Sequence, residues 1–357
     1  MTSVEPPAFH HLPVMAAEIV ALFGPVPAGW VLDATVGGGG HSELLLAEWP
    51  HLRVLGLDRD ETALAAAGER LARFGERVRL FHRRFDRLHD AMEAFSIDSL
   101  SGALFDLGVS SPQFDHADRG FSYRNDAPLD MRMDRSQPWS AADVVNGYPV
   151  EQLSAVIHRF GDERFANRIA AAIVAARPVE STARLAEIVV AAIPAPARRT
   201  GGHPAKRTFQ AIRIEVNGEL DVLGPALDEA IGATVPGGRV AVLSYHSGED
   251  RIAKAHFREA VTGGCTCPAE LPCVCDAVQT VRLVRGVPRQ PNEAERTANR
   301  RAASARLRGA SLSVRSSKTM AIGQPTVPRR GVSAIRSATR RRALAARRLA
   351  VRSDSFG

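Results

Sequence analysis

The stretch from Gly29 to His41 constrains this chain more than any other. A short apolar run, Trp30 to Leu32, predicts a buried strand, and Asp33 follows it directly. Four consecutive glycines occupy positions 37–40, and the residues after them have the pattern of a helix. A strand, a glycine loop and a helix start form the first turn of a nucleotide-binding α/β sheet, where only glycine lets the backbone approach a ligand closely. A flexible turn is the alternative interpretation of the glycines.

A second predicted strand helps to identify the ligand. Residues 54–57 are apolar and lead into Asp58, which lies 21 positions after the first loop glycine, where dinucleotide-binding folds place the acid that binds a ribose hydroxyl. The NAD fingerprint G-x-G-x-x-G also needs a glycine at its sixth position, but Ser42 or Glu43 stands there. Asp33 would repel a pyrophosphate and would suit the ammonium group of a methionine moiety. The loop therefore favours S-adenosylmethionine over NAD.

The length and composition are those of a soluble globular protein. With 357 residues, 45% of them hydrophobic and 24% charged, the chain can bury one large core or two smaller ones. Its first residues lack the basic and apolar regions of a secretory signal, and no apolar run reaches the roughly 18 residues that a membrane span needs. We therefore expect a cytoplasmic protein with no membrane partner.

The net charge of +7 is unevenly distributed along the chain. From Arg301 onward there are 14 Lys and Arg residues and one acid, Asp354, whereas the preceding residues carry 32 basic and 38 acidic side chains. The basic character belongs to the C-terminal tail, so it does not indicate that the folded part binds nucleic acid. The tail from residue 310 is rich in Ser, Arg, Ala and Gly, and we predict that it is disordered.

All four cysteines fall in one short window, at positions 265, 267, 273 and 275. Cysteines so close together cannot cross-link a chain of this length, which excludes a secreted disulfide scaffold. Two interpretations stay open, a surface excursion with reduced thiols or a zinc site. Pairs spaced C-x-C are less usual zinc ligands than C-x-x-C pairs, although four thiols suit a tetrahedral ion.

Alternating strands and helices continue along the chain and are then interrupted. Further strands are predicted at 78–82, 102–108, 238–244 and 277–284, and a basic segment at 297–308 could complete the sheet. The long gap before residue 238 contains patterns typical of alanine-rich helices, at 150–159, 162–176 and 182–193. We predict a Rossmann-like α/β sheet with an inserted small helical domain and a basic tail. The predicted parts are 1–115 and 216–309 for the sheet domain, 116–215 for the insertion and 310–357 for the tail.

Three acids follow predicted strands: Asp33, Asp58 and Asp106. Ligands of such sheets bind at the carboxyl ends of the strands, so these side chains are expected to line one site. Residues 107–114, directly after Asp106, form a polar, glycine-containing loop, which indicates a functional role. The alternative is a structural loop that only holds the insertion in place. Phe85, just past the third strand, could be a core aromatic or could lie against an adenine.

Several longer motifs resemble those of the MraW/RsmH family. They are Asp33-Ala-Thr-Val-Gly-Gly-Gly-Gly-His41, Asp106-Leu-Gly-Val-Ser-Ser-Pro-Gln113, Arg119-Gly-Phe-Ser122, Leu129-Asp-Met-Arg-Met-Asp134, His203-Pro-Ala-Lys-Arg-Thr-Phe-Gln-Ala-Ile-Arg213 and Ser244-Tyr-His-Ser-Gly-Glu-Asp-Arg251. The resemblance spans residues 10–308 and leaves the tail outside. Three positions depart from the family pattern and affect only the expected RNA-side pocket: Lys206 for Thr, Tyr245 for Phe and Gly248 for Leu.

The resemblance implies a class I methyltransferase that uses S-adenosylmethionine to methylate the exocyclic N4 of a cytidine in the decoding region of small-subunit (16S) ribosomal RNA. It also implies cofactor contacts, which add to the Asp33 contact expected above: Gly39, Gly40, His41, Asp58, Phe85, Asp106 and Gln113. The RNA partner is expected within an assembled or late-assembling subunit, with free RNA as the alternative, and a homodimer stays open beside a monomer.

The chemistry of this reaction assigns the remaining roles. An exocyclic amine is a poor nucleophile, so an acceptor on its hydrogens should help, while no metal is needed. Asp106 is the first candidate acceptor, with Ser110 or Ser111 as helpers. Phe121 or Phe209 could stack on an extruded base. Phosphate contacts are expected from a set of cations, each of which could instead be a structural ion-pair partner: Arg119, Arg132, Lys206, Arg207 and Arg251.

Three other functions are less consistent with the sequence. A DNA amino-methyltransferase would carry an N/D-P-P-Y/F loop where this chain has Asp106-Leu-Gly-Val. A nucleic-acid-binding module with a decayed cofactor site would not need the intact acids and glycines. An NAD oxidoreductase would need the fingerprint that the loop lacks.

Overall fold

The computed structural model describes residues 13–108, 117–199, 202–268, 274–275, 277–299 and 302–313. Within these ranges, seven strands form one sheet. They are β1 (Gly29–Asp33), β2 (Leu52–Asp58), β3 (Val78–His82), β4 (Leu100–Asp106), β5 (Thr234–Ser244), β6 (Val281–Leu283) and β7 (Arg306–Leu312). Every strand that the apolar runs predicted up to residue 244 is present, with small differences at the ends.

The order of the strands creates a ligand-binding edge. The sheet has the order β3-β2-β1-β4-β5-β7-β6. Strands β1 to β5 are parallel, and β7 enters antiparallel between β5 and β6. The chain adds β2 and β3 on one side of β1 and then crosses to add β4 on its other side. Open α/β sheets bind ligands at such a switch point, outside the carboxyl ends of the strands. This topology confirms the predicted Rossmann-like fold.

Helices connect the strands and form the insertion between β4 and β5. They are α1 (Ala16–Phe23), α2 (Gly40–Glu48), α3 (Glu61–Leu71), α4 (Leu88–Ala94), α5 (Ala141–Gly147), α6 (Val150–Gly161), α7 (Ala166–Ala175), α8 (Thr182–Ala192), α9 (Lys206–Asn217), α10 (Glu219–Ala233), α11 (Ser247–Thr262) and α12 (Glu293–Ala298). Across the described ranges, none of these helices has both the length and the apolar character that crossing a bilayer requires.

Alternate residues of the central strands point to opposite faces of the sheet and enter different cores. Leu32 and Phe105 pack on one face together with residues of α10, whereas Val31 and Leu104 pack on the other face with residues of α1. Strands that are apolar at nearly every position are typical of a parallel sheet covered on both faces. The sheet is therefore a rigid base for the residues at its carboxyl edge.

The C-terminal part of the sheet extends further than expected. The strand predicted at 277–284 is reduced to β6, and the basic segment 297–308 contains only the start of β7. β7 continues to Leu312, which is buried opposite Val281. The end of β7 therefore extends past the tail boundary predicted at 310 and contributes side chains to the core. Residues from 314 onward, with the disorder predicted for them, lie outside the described residues.

Helices α5 to α9 and the loop before them share an apolar cluster of their own. Leu153, Ile169, Leu185 and Ile212, each from a different helix, are buried together there. Helices predicted at 150–159 and 182–193 correspond closely to α6 and α8.

The helix predicted from residue 162 begins later. Asp162 ends α6 with a φ of 51°, a left-handed conformation that stops the helix, and α7 starts at Ala166. The division of the chain into domains stays a prediction.

A buried ion pair attaches the insertion to the sheet. Nη1 of Arg119 donates to Oδ2 of Asp60 at 3.0 Å, and the two side chains are only 8% and 6% exposed. Asp60 also caps α3, because its Oδ1 accepts from the N–H of Thr62. The second terminal nitrogen of Arg119 donates to the carbonyl oxygens of Arg132 and Met133. The Arg119 guanidinium therefore joins a loop of the insertion to the first turn of α3.

Arg119→Met should lower the free energy of unfolding by about 3 kcal/mol or more, because it leaves the Asp60 carboxylate buried without its guanidinium. Urea denaturation followed by circular dichroism measures the loss. The matched control is Arg135→Met, which removes a nearby pair with Asp118 and a longer contact, 3.8 Å, with Asp130. The Arg135 side chain is more than half exposed, so the loss should stay below about 1 kcal/mol. Equal losses in the two variants would show that the buried pair is not the anchor.

Candidate active site

The carboxyl ends of neighbouring strands bring together the acids that the sequence singled out. Asp33, Asp58 and Asp106 end β1, β2 and β4, and Tyr245 directly follows β5. His41, in the first turn of α2, reaches the same place, with its Nε2 3.4 Å from Oδ2 of Asp106. The edge of the sheet therefore holds a cluster of polar side chains from separate parts of the chain.

The glycine loop is held in shape by Asp58. The N–H of Gly37 donates to Oδ2 of Asp58 at 2.8 Å, and the N–H of Asp60 donates to Oδ1 at 3.0 Å. Gly37 and Gly39 have φ of 51° and 78°, a region that residues with a side chain rarely adopt. A methyl group on Gly38 would meet no atom within 4 Å. The loop combines a fixed shape with open space beside its backbone.

Asp33 is almost completely removed from solvent, with 2% of its surface exposed. Its Oδ2 accepts a 2.6 Å hydrogen bond from the Ser42 hydroxyl, whereas its Oδ1 has no well-aligned hydrogen bond to any residue that the structure describes. Burial raises the pKa of the Asp33 carboxyl from 3.8 to about 6, because water no longer solvates the charge, and the Ser42 hydrogen bond opposes this only in part. A cation bound beside Oδ1 would favour the ionised form.

Two residues hold Asp106 in place. The Thr35 hydroxyl accepts from the Asp106 N–H at 3.0 Å and donates to its carbonyl oxygen at 2.7 Å, which ties the end of β4 to the turn after β1. The Tyr245 hydroxyl donates to Oδ1 of Asp106 at 2.8 Å. Burial and the nearby Asp106 carboxylate raise the pKa of Tyr245 well above its ordinary value, so the phenol keeps its proton. Oδ2 of Asp106 is the oxygen that faces His41.

The unsatisfied polar atoms of this cluster fit a positively charged, hydrogen-bonding ligand. Within the described part of the chain, Oδ1 of Asp33 and both ring nitrogens of His41 are buried without a hydrogen bond. Such atoms are rare in folded proteins. Asp33 and Asp106 place two carboxylates close enough to repel each other, and a cation would relieve this repulsion. S-adenosylmethionine carries an ammonium and a sulfonium group, so the residues present fit this cofactor.

The other predicted cofactor residues have different surroundings. Gly39 and Gly40 lie at the start of α2, and a side chain on Gly40 would come within 2.9 Å of the Pro13 ring. Phe85 is buried in the core, with its ring edge-to-face against Phe105 at 5.8 Å, which favours a core role over an adenine contact. Three predicted residues lie outside the described residues: Ser110, Ser111 and Gln113.

The predicted RNA-contact residues divide into buried, paired and exposed ones. Arg119 makes the buried ion pair described above, and Arg132 makes a bidentate pair with Asp130 at 2.7 and 3.1 Å, which favours the structural alternative for both. Phe121 and Phe209 are buried in the apolar cluster of the insertion. A role in RNA binding stays a prediction for all of them. The exposed cations are Lys206, Arg207 and Arg251.

The structure adds residues that no prediction had placed in the site. Thr35 and Ser42 flank the glycine loop and contact Asp106 and Asp33. Both are hydroxyl residues close in sequence to Asp33, the acid at the end of β1, and this pattern could have identified them. Tyr245 was expected in the RNA-side pocket, but its hydroxyl contacts Asp106. On the insertion, His203 is exposed and stacks on Tyr123 with 4.3 Å between the ring centroids.

Asp33→Asn should change how stability depends on pH. Between the ordinary pKa of 3.8 and the folded-state value of about 6, the unfolded chain releases a proton that the folded chain keeps, so the wild type loses stability relative to the variant as the pH rises. The difference above pH 6 should be on the order of 3 kcal/mol, and urea denaturation across this pH range measures it.

Asp250→Asn is a control of opposite sign. The hydrogen-bonded Arg308 guanidinium lowers the pKa of Asp250, so the wild type should gain stability relative to this variant as the pH rises. Parallel pH profiles for wild type and Asp33→Asn would contradict the raised pKa of Asp33.

Comparison with known proteins shows the family. The sequence matches the MraW methylase family over residues 8–312. Proteins named Ribosomal RNA small subunit methyltransferase H are 50% identical to this chain in Symbiobacterium thermophilum (84% of this chain and 96% of the relative covered), Saccharopolyspora erythraea (84% and 92%) and Thermobifida fusca (85% and 94%). With its glycine loop and strand-end acids inside the matched region, this chain belongs to the MraW methylase family.

Proposed function

We propose that this protein transfers a methyl group from S-adenosylmethionine to the exocyclic N4 amine of a cytidine in the decoding region of small-subunit ribosomal RNA. Membership of the MraW methylase family and the names of the relatives at 50% identity support the reaction and the RNA. The observation that carries the proposal is the position of Asp106, whose Oδ2 lies at the carboxyl edge beside the atoms that fit the cofactor.

The strand ends and the glycine loop would hold the cofactor, which supplies an activated methyl group. Oδ1 of Asp33 is available for the ammonium group. Each carboxylate oxygen of Asp58 accepts one backbone hydrogen bond and keeps a lone pair for a ribose hydroxyl. The space beside Gly38 lets the ligand approach the backbone. These residues bind and orient, and orientation is a large part of what methyl transfer to a weak nucleophile needs.

Asp106 would act on the target amine. The lone pair of an exocyclic cytosine amine is delocalised into the ring, so an acceptor on one of its hydrogens helps the nitrogen to become tetrahedral and stabilises its developing positive charge. Oδ1 keeps one lone pair beside the Tyr245 hydrogen bond, whereas Oδ2 keeps both, so we assign Oδ2 as the acceptor, which also receives the proton that the amine loses. Tyr245 keeps its own proton and orients the carboxylate.

The base must leave its stack to reach this edge. His203, which is exposed and stacks on the half-buried Tyr123 of the insertion, offers a surface on which a base could stack, whereas Phe121 and Phe209 are buried. Exposed cations at the start of α9 and in α11 are available for the phosphates. We propose cytoplasmic RNA within an assembled or late-assembling subunit as the substrate. The residues of the polar cluster that the structure describes all come from one chain, and a homodimer stays open beside a monomer.

Asp106→Asn should lower kcat by at least about 100-fold, because a neutral amide cannot take the proton of the amine or stabilise its positive charge. The assay incubates labelled S-adenosylmethionine with small subunits, and with naked ribosomal RNA, that lack the modification, and then maps the labelled nucleotide. Calorimetry shows whether the variant still binds the cofactor. Turnover near that of the wild type would refute the role of Asp106, and label at any other kind of nucleotide would refute the substrate.

Tyr245→Phe is the matched control for this variant. It removes only the hydrogen bond to Oδ1, and it restores the residue that the family resemblance places there. Turnover should stay within about tenfold of the wild type, because losing one orienting hydrogen bond costs much less than losing the acceptor. A loss as large as that of Asp106→Asn would mean that the two side chains act as a unit.

Deletion of residues 314–357 should weaken RNA binding at low salt without shifting the methylated position. These residues carry 11 Lys and Arg and one acid, so their contribution should be electrostatic and independent of RNA sequence. The truncation begins after Ser313, because Leu312 is buried and the Ser313 N–H donates to the Thr280 carbonyl oxygen. Affinity measured against salt concentration should fall less steeply for the truncated protein. A changed modification site would contradict a purely electrostatic role.

A further inference from the structure

The cysteine window lies between α11 and β6, and the structure gathers its sulfur atoms. The Sγ atoms of Cys265, Cys267 and Cys275 all lie within 4.8 Å of one another. Around a tetrahedral zinc ion with Zn–S bonds of about 2.3 Å, sulfur atoms are about 3.8 Å apart, so a small adjustment of side chains would bring these three sulfur atoms into position as three of the four ligands of such a site. Cys273 lies outside the described residues.

The backbone closes the base of this segment tightly. Gly263 and Gly264 leave α11 with φ of 64° and 75°, and a side chain on Gly263 would come within 2.5 Å of the Val278 carbonyl oxygen. The segment returns at Thr280, whose N–H donates to the Ala260 carbonyl oxygen at 3.0 Å. The glycines let the two ends meet, so the cysteines belong to a closed excursion from the sheet.

This excursion has no apolar core among its described residues. From Thr262 to Thr280, none of the residues that the structure describes is buried, and Val274 and Val278 are 83% and 60% exposed. A chain segment that cannot bury apolar surface needs another source of stability, and a structural metal is a common one. The clustering of the thiols therefore requires an explanation other than hydrophobic packing.

We propose that Cys265, Cys267 and Cys275 bind a structural zinc ion as thiolates. Binding releases the thiol protons. The ion would stabilise the excursion in place of an apolar core, because it would cross-link the chain segment that leaves α11 to the segment that returns to β6. A single disulfide would use only two of the three sulfur atoms, and soft thiolate ligands favour zinc over magnesium or calcium. The site is structural, because α11, at 16 residues, separates it from the catalytic edge by about 24 Å.

Metal analysis of the full-length protein, purified without a His tag and without chelators, tests this proposal. Inductively coupled plasma mass spectrometry should find about one zinc per chain, and X-ray absorption at the zinc edge should show a shell dominated by sulfur at about 2.3 Å. Zinc should be lost from the double variant Cys265→Ser/Cys267→Ser and kept in the matched control Thr266→Ser, which changes the residue between them. Wild type without zinc after reconstitution, iron in its place, or a shell of nitrogen and oxygen would overturn the proposal.

A second measurement uses the wild-type protein and does not depend on the folding of variants. Maleimide labelling of the folded protein should be slow before zinc removal and at least about tenfold faster after a chelator has taken the metal, because a zinc-bound thiolate is a protected nucleophile. Thermal unfolding should occur at a lower temperature once the chelator is added, and added zinc should restore it. Labelling rates that the chelator does not change would overturn the proposal.

Discussion

The burial of Asp33 at the end of β1 is the constraint on which the rest of the site depends. Removing a carboxylate from water costs free energy, and the hydrogen bond from the Ser42 hydroxyl offsets only part of this cost. The other oxygen is left without a well-aligned partner, close to Asp106 and to an imidazole that also lacks hydrogen bonds within the described residues. A site arranged in this way gains most from a ligand that is cationic and rich in donors. The electrostatics and the family membership therefore point to the same cofactor.

Much of the fold could be predicted because its signals are local. Apolar runs marked β1 to β5, and the glycines after Asp33 marked the ligand loop, since a positive φ at Gly37 and Gly39 requires that residue type. Other features depend on contacts between distant positions, which a local pattern does not contain. Asp60 could be recognised as a cap for α3, but its partner Arg119 is 59 positions away. The predicted strand stopped short of the end of β7 because the alternating polar residues of β7, which lies between β5 and the short β6, resemble those of a tail.

In the site, too, the local features could be predicted and the contacts between distant positions could not. The acids at the strand ends were predictable from the topology, because parallel strands must end at one edge. The partners of these acids were not, since Tyr245 reaches Asp106 only through the pairing of β4 with β5. The family pattern has Phe at position 245, and the hydroxyl that Tyr245 adds donates to one carboxylate oxygen of Asp106. It thereby assigns different tasks to two oxygens that are chemically equivalent in isolation. Arg119 and Arg132 show the same limit, since their ion-pair partners, Asp60 and Asp130, became visible only in the structure.

The direction of β7 decides at which edge of the sheet the described chain ends. β7 runs antiparallel to β5, so Arg306 lies beside Ser244 at the acid-lined edge and Ser311 lies beside Arg239 at the opposite edge. The last described residues, Leu312 and Ser313, therefore lie toward the edge opposite the acids, about 20 Å from Arg306, the length of six strand residues. β7 can thus complete the sheet without placing the end of the described chain over the ligand.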